Sequence, residues 1–115
     1  MKKLLLILVF FLFTSVVFSQ SSPCKEDICV VQFNAGWNSG NDVKWVNEIS
    51  DCGVKYIDIA TNSKAAEKYQ IVVVPTIIIF NGEEVKRFQA DISFAMKATK
   101  EEVQEVVDEI LMEGF

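Results

Sequence analysis

The chain has 115 residues, of which half are apolar and 23% are charged, and it carries a formal net charge of −5. This size fits one small globular domain, and the apolar content lies outside the low-hydrophobicity range that is typical of disorder. Histidine is absent, which excludes histidine-dependent triads, imidazole general bases and histidine metal sites. Most hydrolase mechanisms are therefore excluded.

The first part of the chain, residues 1–19, differs in composition from the rest. Two lysines follow the initial methionine, and an apolar run then covers residues 4–18. This run is shorter than the ~20 residues that a membrane-spanning helix needs. Small residues at Val17 and Ser19 fit a cleavage site before Gln20. The pattern predicts a secretory signal peptide, with an uncleaved membrane anchor as the alternative.

Removal of this segment would make the protein more acidic, because Lys2 and Lys3 would be lost. Of 11 basic residues 9 would remain against 16 acidic residues, which gives a net charge of −7. This charge argues against nucleic acid and anionic membrane surfaces as partners. We expect a periplasmic or extracellular protein with no stable membrane insertion after cleavage.

The remaining sequence predicts a short leader at residues 20–27 and one domain at residues 28–115. The leader is polar and rich in turn formers, so we expect it to be flexible. A β-branched apolar run favours a buried first strand, Asn81-Gly82 favours a hairpin, and Thr99 with Glu102 forms a capping-box pattern. In chain order, the predicted elements are a strand at 28–35, a helix at 43–52, a strand at 54–60, a short helix at 64–69, a strand at 72–80, an edge strand at 83–90 and a helix from 99 onward.

Two motifs in this order resemble the thioredoxin family. Residues 33–37 (FNAGW) match the family's F-x-A-x-W pattern at the end of a strand, and residues 73–76 (VVPT) match its cis-proline loop. The resemblance covers nearly all of residues 28–111. It implies an α/β three-layer sandwich, with a mixed four-stranded sheet and helices on both faces, and a cis peptide bond at Val74-Pro75.

The sequence departs from this family where the redox chemistry would lie. The family has Trp-Cys-Gly-Pro-Cys where this chain has Trp37-Asn38-Ser39-Gly40-Asn41, and Gln32 stands where the family has a buried acid. An asparagine amide is not a nucleophile comparable with a thiolate, and glutamine does not exchange a proton at neutral pH. We therefore expect no dithiol chemistry in this loop. Its polar residues suit helix capping, and ligand contact is the alternative.

The resemblance also implies a shallow groove for an extended polypeptide. Trp37, Val74 and Pro75 would line this groove, together with Asn38 and Asn41, and a purely structural role for these residues is the alternative. The alternation of Ile92, Phe94 and Met96 offers an apolar surface for a partner, although such residues also pack into cores.

Three cysteines remain, at positions 24, 29 and 52. In an oxidising compartment they allow one disulfide, which we expect to join Cys29 to Cys52, or Cys24 to either. A structural cross-link is the first interpretation, and a relocated redox pair at Cys24 and Cys29 is the alternative. We expect no metal site and no cofactor.

Two functions follow from the sequence. The first is a non-catalytic module of the cell envelope that binds polypeptides or assists folding. The second is a thiol-disulfide oxidoreductase that uses Cys24, Cys29 or Cys52.

Overall fold

A computed structural model of the protein describes residues 21–113. The predicted signal peptide at residues 1–19, its cleavage site before Gln20 and the last two residues lie outside the described residues. Between residues 21 and 113, no helix combines the length and the apolar character that crossing a membrane requires.

The centre of the fold is a four-stranded mixed sheet, as predicted. Its strands are β1 (Ile28–Asn34), β2 (Gly53–Asp58), β3 (Thr76–Asn81) and β4 (Glu83–Gln89), in the order β2-β1-β3-β4. Strand β1 pairs in parallel with β2 and antiparallel with β3, and β3 and β4 form the predicted antiparallel hairpin. Every residue of β1 is buried, which explains its nearly continuous apolar sequence.

Two α-helices flank the sheet, α1 (Ser63–Lys68) and α2 (Lys100–Glu113). The side chain of Asn62 accepts a hydrogen bond from the Ala65 amide at the start of α1. The predicted capping box is present before α2, where Thr99 and Glu102 exchange side-chain to backbone hydrogen bonds of 3.1 and 3.2 Å. Local sequence therefore determines where both helices begin.

The side chains of β1 and β3 alternate between two separate cores, one on each face of the sheet. On one face, which we call the α2-side core, Val30 and Ile79 pack with Val103 and Val107 of α2. On the other face, which we call the α1-side core, the packed residues are Cys29, Val31, Phe33, Ile57, Ala65, Tyr69, Ile78 and Phe80. Helices therefore lie on both faces, and the predicted three-layer architecture is confirmed.

The predicted helix at residues 43–52 is wrong. Two short 3₁₀ helices, Gly36–Asn41 and Lys44–Glu48, occupy this part of the chain and are separated by residues with extended ψ angles. The segment is rich in asparagine, glycine and valine, which are weak helix formers. Its apolar residues still reach the α2-side core, so burial was predicted correctly and the helix type was not.

Candidate functional site

Two groups of residues with distinctive chemistry lie at opposite ends of β1. The asparagine-rich loop follows Asn34 at the carboxyl end, and a disulfide between Cys24 and Cys29 lies at the amino end. A seven-residue strand spans about 20 Å at roughly 3.3 Å per residue. The two ends of β1 are therefore separate candidate sites.

A network of side-chain amides holds the asparagine-rich loop. Asn38 is only 6% exposed, and its Nδ2 donates to Asn34 Oδ1 at 3.1 Å and to the carbonyl oxygens of Val74 and Phe94 at 3.4 Å. Asn41 Nδ2 donates to Asn38 Oδ1 at 2.9 Å. Both polar atoms of the Asn38 side chain are therefore engaged within the protein.

Asn34 connects this network to strand β2. Its buried Nδ2 donates to the Asn38 carbonyl at 3.1 Å and to Asp42 Oδ1 at 2.6 Å. Tyr56 on β2 donates its hydroxyl to the same Asp42 oxygen at 2.9 Å. Burial, followed by the hydrogen bond to Asp42 and its charge, raises the pKa of Tyr56 to about 12. Tyr56 therefore remains a neutral donor over the ordinary pH range.

These amides do not cap a helix, contrary to the prediction for this loop. The residues before the two 3₁₀ helices are Ala35 and Val43, and neither makes a side-chain capping hydrogen bond. The asparagine side chains instead bond to one another and to distant carbonyls, which contributes to closing the loop against the rest of the fold.

Gln32 lies in β1 beneath the same loop and is 5% exposed. Its Oε1 accepts from the Val43 amide at 2.7 Å, and its Nε2 donates to the Val43 carbonyl at 3.1 Å. Both halves of the amide are therefore used, and a neutral donor-acceptor group satisfies two backbone groups of Val43 at once.

The residues predicted to line a groove are only partly brought together. The peptide bond Val74-Pro75 is cis, as predicted, and Val74 contacts Asn38 through its carbonyl. Trp37 is 69% exposed and meets the ring of Phe94 edge-on, with the ring centroids 5.6 Å apart. The position of Phe94 against Trp37 was not predicted, because the two residues are distant in sequence.

The apolar segment at residues 91–98 does not form one continuous surface. Ile92 is 97% exposed, whereas Met96 packs against the α2-side core. Phe94 is 42% exposed beside Trp37. The predicted alternation is therefore divided between solvent and core.

The disulfide joins Cys24 to Cys29, with their Cα atoms 6.2 Å apart, a separation within the usual range for a disulfide. The pairing of Cys29 with Cys52 is not formed. Cys29 belongs to the α1-side core, while Cys52 packs against the α2-side core. The sheet separates these two side chains, although both lie at the same end of it.

Cys52 is free and partly buried. Burial first, then the negative charges of Asp51 and Glu26, raise the pKa of Cys52 to about 11. A thiol reacts as its thiolate. Cys52 is therefore poorly suited to act as a nucleophile near neutral pH.

The two cysteines of the disulfide differ in their surroundings. Cys29 is fully buried in β1, between β2 and β3. Cys24 is only partly buried and lies in residues 22–27, which have no helix or strand. One sulfur is therefore fixed in the sheet and the other lies on an irregular segment at the surface.

The leader that carries Cys24 is hydrogen-bonded to the domain. Ser22 N donates to the Gly82 carbonyl at 2.9 Å, and Tyr69 Oη donates to the Ser21 carbonyl at 3.2 Å. Lys55 Nζ donates to the Pro23 carbonyl at 3.2 Å. These contacts, all made by the residues just before Cys24, place the leader against the α1 side of the sheet.

Within residues 21–113, no group of three or more cysteine, aspartate or glutamate side chains is arranged to hold a metal ion. The polar network around Asn38 is likewise internally satisfied, since no buried side-chain nitrogen or oxygen in the described part of the chain lacks a hydrogen-bond partner.

Comparison with solved structures defines the fold. Thioredoxin from Schistosoma mansoni is 25% identical, with 76% of this chain and 80% of that chain covered and a TM-score of 0.58. A point mutant of thioredoxin from Halobacterium salinarum NRC-1 is 22% identical, covers 72% and 74% of the two chains, and has a TM-score of 0.58. No protein-family model and no curated protein matches the chain.

A further similar structure is thioredoxin-2, described as a component of the protein secretion machinery of the malaria parasite. It is 17% identical, covers 81% of this chain and 97% of that chain, and has a TM-score of 0.56. The chain therefore has a thioredoxin-like fold.

This fold and the Cys24–Cys29 disulfide correct our first functional interpretation. We expected a non-catalytic polypeptide-binding module, because Asn38 and Asn41 removed the cysteines from one loop. The structure contains a cysteine pair at the other end of β1, so the chain does not lack paired cysteines. From the sequence, this pair is only the less favoured alternative.

Proposed function

We propose that the chain is a thiol-disulfide oxidoreductase module that acts through Cys24 and Cys29. In this proposal, the redox pair has moved from the loop that now holds Asn38 and Asn41 to the opposite end of β1. The observation that carries the proposal is the disulfide on a thioredoxin-like fold, with one sulfur buried and the other partly exposed.

The exchange needs no reactant beyond a dithiol or a disulfide. In one direction, a substrate thiolate attacks one sulfur of the Cys24–Cys29 bond and forms a mixed disulfide, and the second substrate thiol then displaces the protein thiolate. The substrate dithiol is oxidised to a disulfide, and the protein disulfide is reduced to two thiols. In the other direction, the reduced pair transfers its electrons to a substrate disulfide.

In this proposal the two sulfurs have different roles. Access favours Cys24 as the sulfur that forms the mixed disulfide, since Cys29 is completely buried. Cys29 is held by strand pairing on both sides, so it stays in place to attack the Cys24 sulfur and release the substrate. Residues 22–27 form no helix or strand, so Cys24 can separate from Cys29 without disrupting a regular element, while the contacts of Ser21, Ser22 and Pro23 hold the start of the segment on the domain.

The surroundings of Cys24 link it to the sheet and to the proposed compartment. Lys55 of β2 donates to the carbonyl of the preceding residue, Pro23, which keeps Cys24 close to the domain. The proposed export to an oxidising compartment would keep the pair in its disulfide form between turnovers.

The proposal is tested by insulin reduction with dithiothreitol as the reductant. We expect the wild-type protein and Cys52→Ser to accelerate the reaction over dithiothreitol alone. Cys24→Ser should abolish the acceleration, because no mixed disulfide can form at the accessible position. Thioredoxin from Schistosoma mansoni, one of the similar solved structures, serves as the positive control for the assay.

Equal rates for wild type and Cys24→Ser would refute the proposal. So would a wild-type rate no higher than dithiothreitol alone while the positive control is active. In either case the Cys24–Cys29 bond would be a structural cross-link.

A further inference from the structure

A small cleft lies beside the leader, on the α1 side of the sheet. It has a volume of about 260 Å³ and is formed by residues from the leader, from β2 and from α1 with its flanking residues. Pro23, the residue before Cys24, forms part of its lining. The cleft therefore borders the segment that carries the more accessible cysteine.

The cleft and the core beside Cys24 share three residues. Cys24 packs against the α1-side core, which includes Ile57, Ala65 and Tyr69. These three residues also line the cleft. A group attached to the Cys24 sulfur in a mixed disulfide would therefore lie on the same side of the sheet as the cleft.

The charge of the cleft is opposite to that of the protein. Its lining contains Lys55, Lys64 and Lys68 and no acidic residue, although the chain has 16 acidic and 11 basic residues. By contrast, the cleft between β4 and α2 is lined by three glutamates and one lysine. Glu26 and Asp27, which lie between the two cysteines, line a different cleft together with Asp51 and Cys52. The positive charge therefore belongs to the cleft that Pro23 borders.

Two of these lysines have fixed positions. Lys55 Nζ donates to the Pro23 carbonyl at 3.2 Å. The ammonium group of Lys68 lies 5.2 Å from the centre of the Tyr69 ring, where a cation and an aromatic face attract each other. These contacts hold both cations at the wall of the cleft, while Lys64 is exposed on α1.

We propose that this cleft selects small disulfides that carry carboxylates as the redox substrates of the Cys24–Cys29 pair. The inference rests on the proposed oxidoreductase function and adds its substrate class. The ammonium groups would attract a carboxylate and orient it, so that the disulfide bond of the substrate meets the Cys24 sulfur. The small volume fits one half of a low-molecular-weight disulfide and not an extended polypeptide.

The reaction is balanced as follows. A substrate dithiol first reduces the Cys24–Cys29 bond by the exchange described above and is itself oxidised to a disulfide. In the reduced protein, the Cys24 thiolate attacks one sulfur of the substrate RSSR, which forms the Cys24–SR bond and releases RS⁻. Cys29 gives up its proton and attacks the Cys24 sulfur, which forms the protein disulfide and releases a second RS⁻. The substrate gains two electrons and becomes two RSH molecules after protonation, and the protein loses two electrons.

The test uses three disulfides of similar size and different charge: dithiodipropionate (anionic), bis(hydroxyethyl) disulfide (neutral) and cystamine (cationic). The fully reduced protein is mixed with each, and its oxidation is followed by maleimide labelling of the remaining thiols. Each rate is divided by the rate of the same disulfide with a small uncharged thiol, because the three leaving groups differ in reactivity.

We expect the normalised rate for the anionic disulfide to exceed that for the cationic one by about tenfold at low salt, the lower end of the range for electrostatic steering. The double variant Lys64→Gln, Lys68→Gln should lower this ratio about fivefold. Lys55 is left unchanged because it holds the leader. The matched control, Lys44→Gln with Lys86→Gln, changes the net charge equally outside this cleft, and should leave the ratio unchanged.

The two levels of the proposal can fail separately. If insulin reduction is not accelerated and the protein oxidises no faster than the reference thiol with all three disulfides, the oxidoreductase function fails and this inference fails with it. If insulin is reduced but none of the three small disulfides reacts faster than with the reference thiol, the function stands and this inference is overturned. If all three disulfides react rapidly but the anionic-to-cationic rate ratio of the wild type stays within about twofold of one, the function stands and the charge selection is overturned. The same conclusion follows if this ratio is equal in the two double variants. A preference seen only with a longer acidic peptide disulfide would also overturn it.

Discussion

Gln32 provides the most direct test of how the asparagine-rich loop is held. The side chain is 5% exposed, and it both accepts from the Val43 amide and donates to the Val43 carbonyl. In Gln32→Glu, the protonated carboxyl can make both hydrogen bonds. The ionised carboxylate can only accept, so one of its oxygens would face the Val43 carbonyl without a proton between them.

The sign of the pH effect follows from this geometry. Burial and the facing carbonyl both disfavour the ionised form, so the pKa of the introduced carboxyl should rise above its ordinary value of about 4.3. Between these two pKa values, the native state binds more protons than the unfolded state. The free energy of unfolding therefore falls as the pH rises through this window and is constant on either side.

The expected magnitude is the cost of one lost hydrogen bond together with an unpaired buried carbonyl, about 2 kcal/mol. Urea unfolding of the wild type and Gln32→Glu should therefore give similar stabilities at pH 4, and the variant should be about 2 kcal/mol less stable at pH 8. The control Gln32→Leu lacks a titratable group. It should cost about 2 to 4 kcal/mol at both pH values, because two backbone groups lose their partner.

A difference between wild type and Gln32→Glu that does not change between pH 4 and pH 8 would refute this reasoning. It would mean that the side chain is hydrated or turned away from Val43. A fall in stability at low pH would contradict the sign of the argument itself.

Three further predictions concern the cysteines and the amide network. Reduction of the Cys24–Cys29 disulfide, which closes a loop with a sequence separation of 5, should lower the free energy of unfolding by about 2 kcal/mol, measured by urea unfolding with and without dithiothreitol. Cys52, whose pKa is raised to about 11, should react with iodoacetamide at pH 8 at least about tenfold more slowly than an ordinary cysteine. Its labelling rate should rise steeply toward pH 10. Fast labelling at pH 8 in the double variant Cys24→Ser, Cys29→Ser, where Cys52 is the remaining cysteine, would contradict this. Asn34→Ala should destabilise the protein by about 3 kcal/mol in thermal or urea unfolding, because the partners of a buried amide are left unpaired, and a loss below about 1 kcal/mol would show that the network contributes little.

The layers of the fold were predictable from local patterns. The apolar run of β1, the Asn81-Gly82 turn and the capping box before α2 all lie where the structure has a strand, a hairpin and a helix start. These signals depend on residues that are neighbours in sequence. The helix at residues 43–52 was predicted wrongly because apolar spacing indicates burial and not the type of backbone. The apolar residues there pack on the α2-side core, and their spacing would be the same whether or not the backbone forms an α-helix.

The sequence alone did not determine which cysteines pair, because the pairing depends on the register between β1 and β2. Cys29 pairs in register with Gly53, so its neighbour Cys52 falls on the other face of the sheet. A shift of one residue would have put Cys52 on the same face as Cys29. The amide network was equally hidden, because Asn38 meets Val74 and Phe94 only after the chain has folded.

The two ends of β1 differ in their physical requirements, and this difference bears on where the proposed redox pair lies. At the carboxyl end, the two hydrogens of the Asn38 amide are shared among three oxygens, so a cysteine there would remove donors from buried oxygens. At the amino end, Cys29 is an apolar part of the α1-side core, and Cys24 lies on a segment with no helix or strand to disrupt. A disulfide can open and close there while the sheet and both cores stay intact. Exchange chemistry at the amino end is therefore compatible with a stable domain, and the closed amide network removes the competing position.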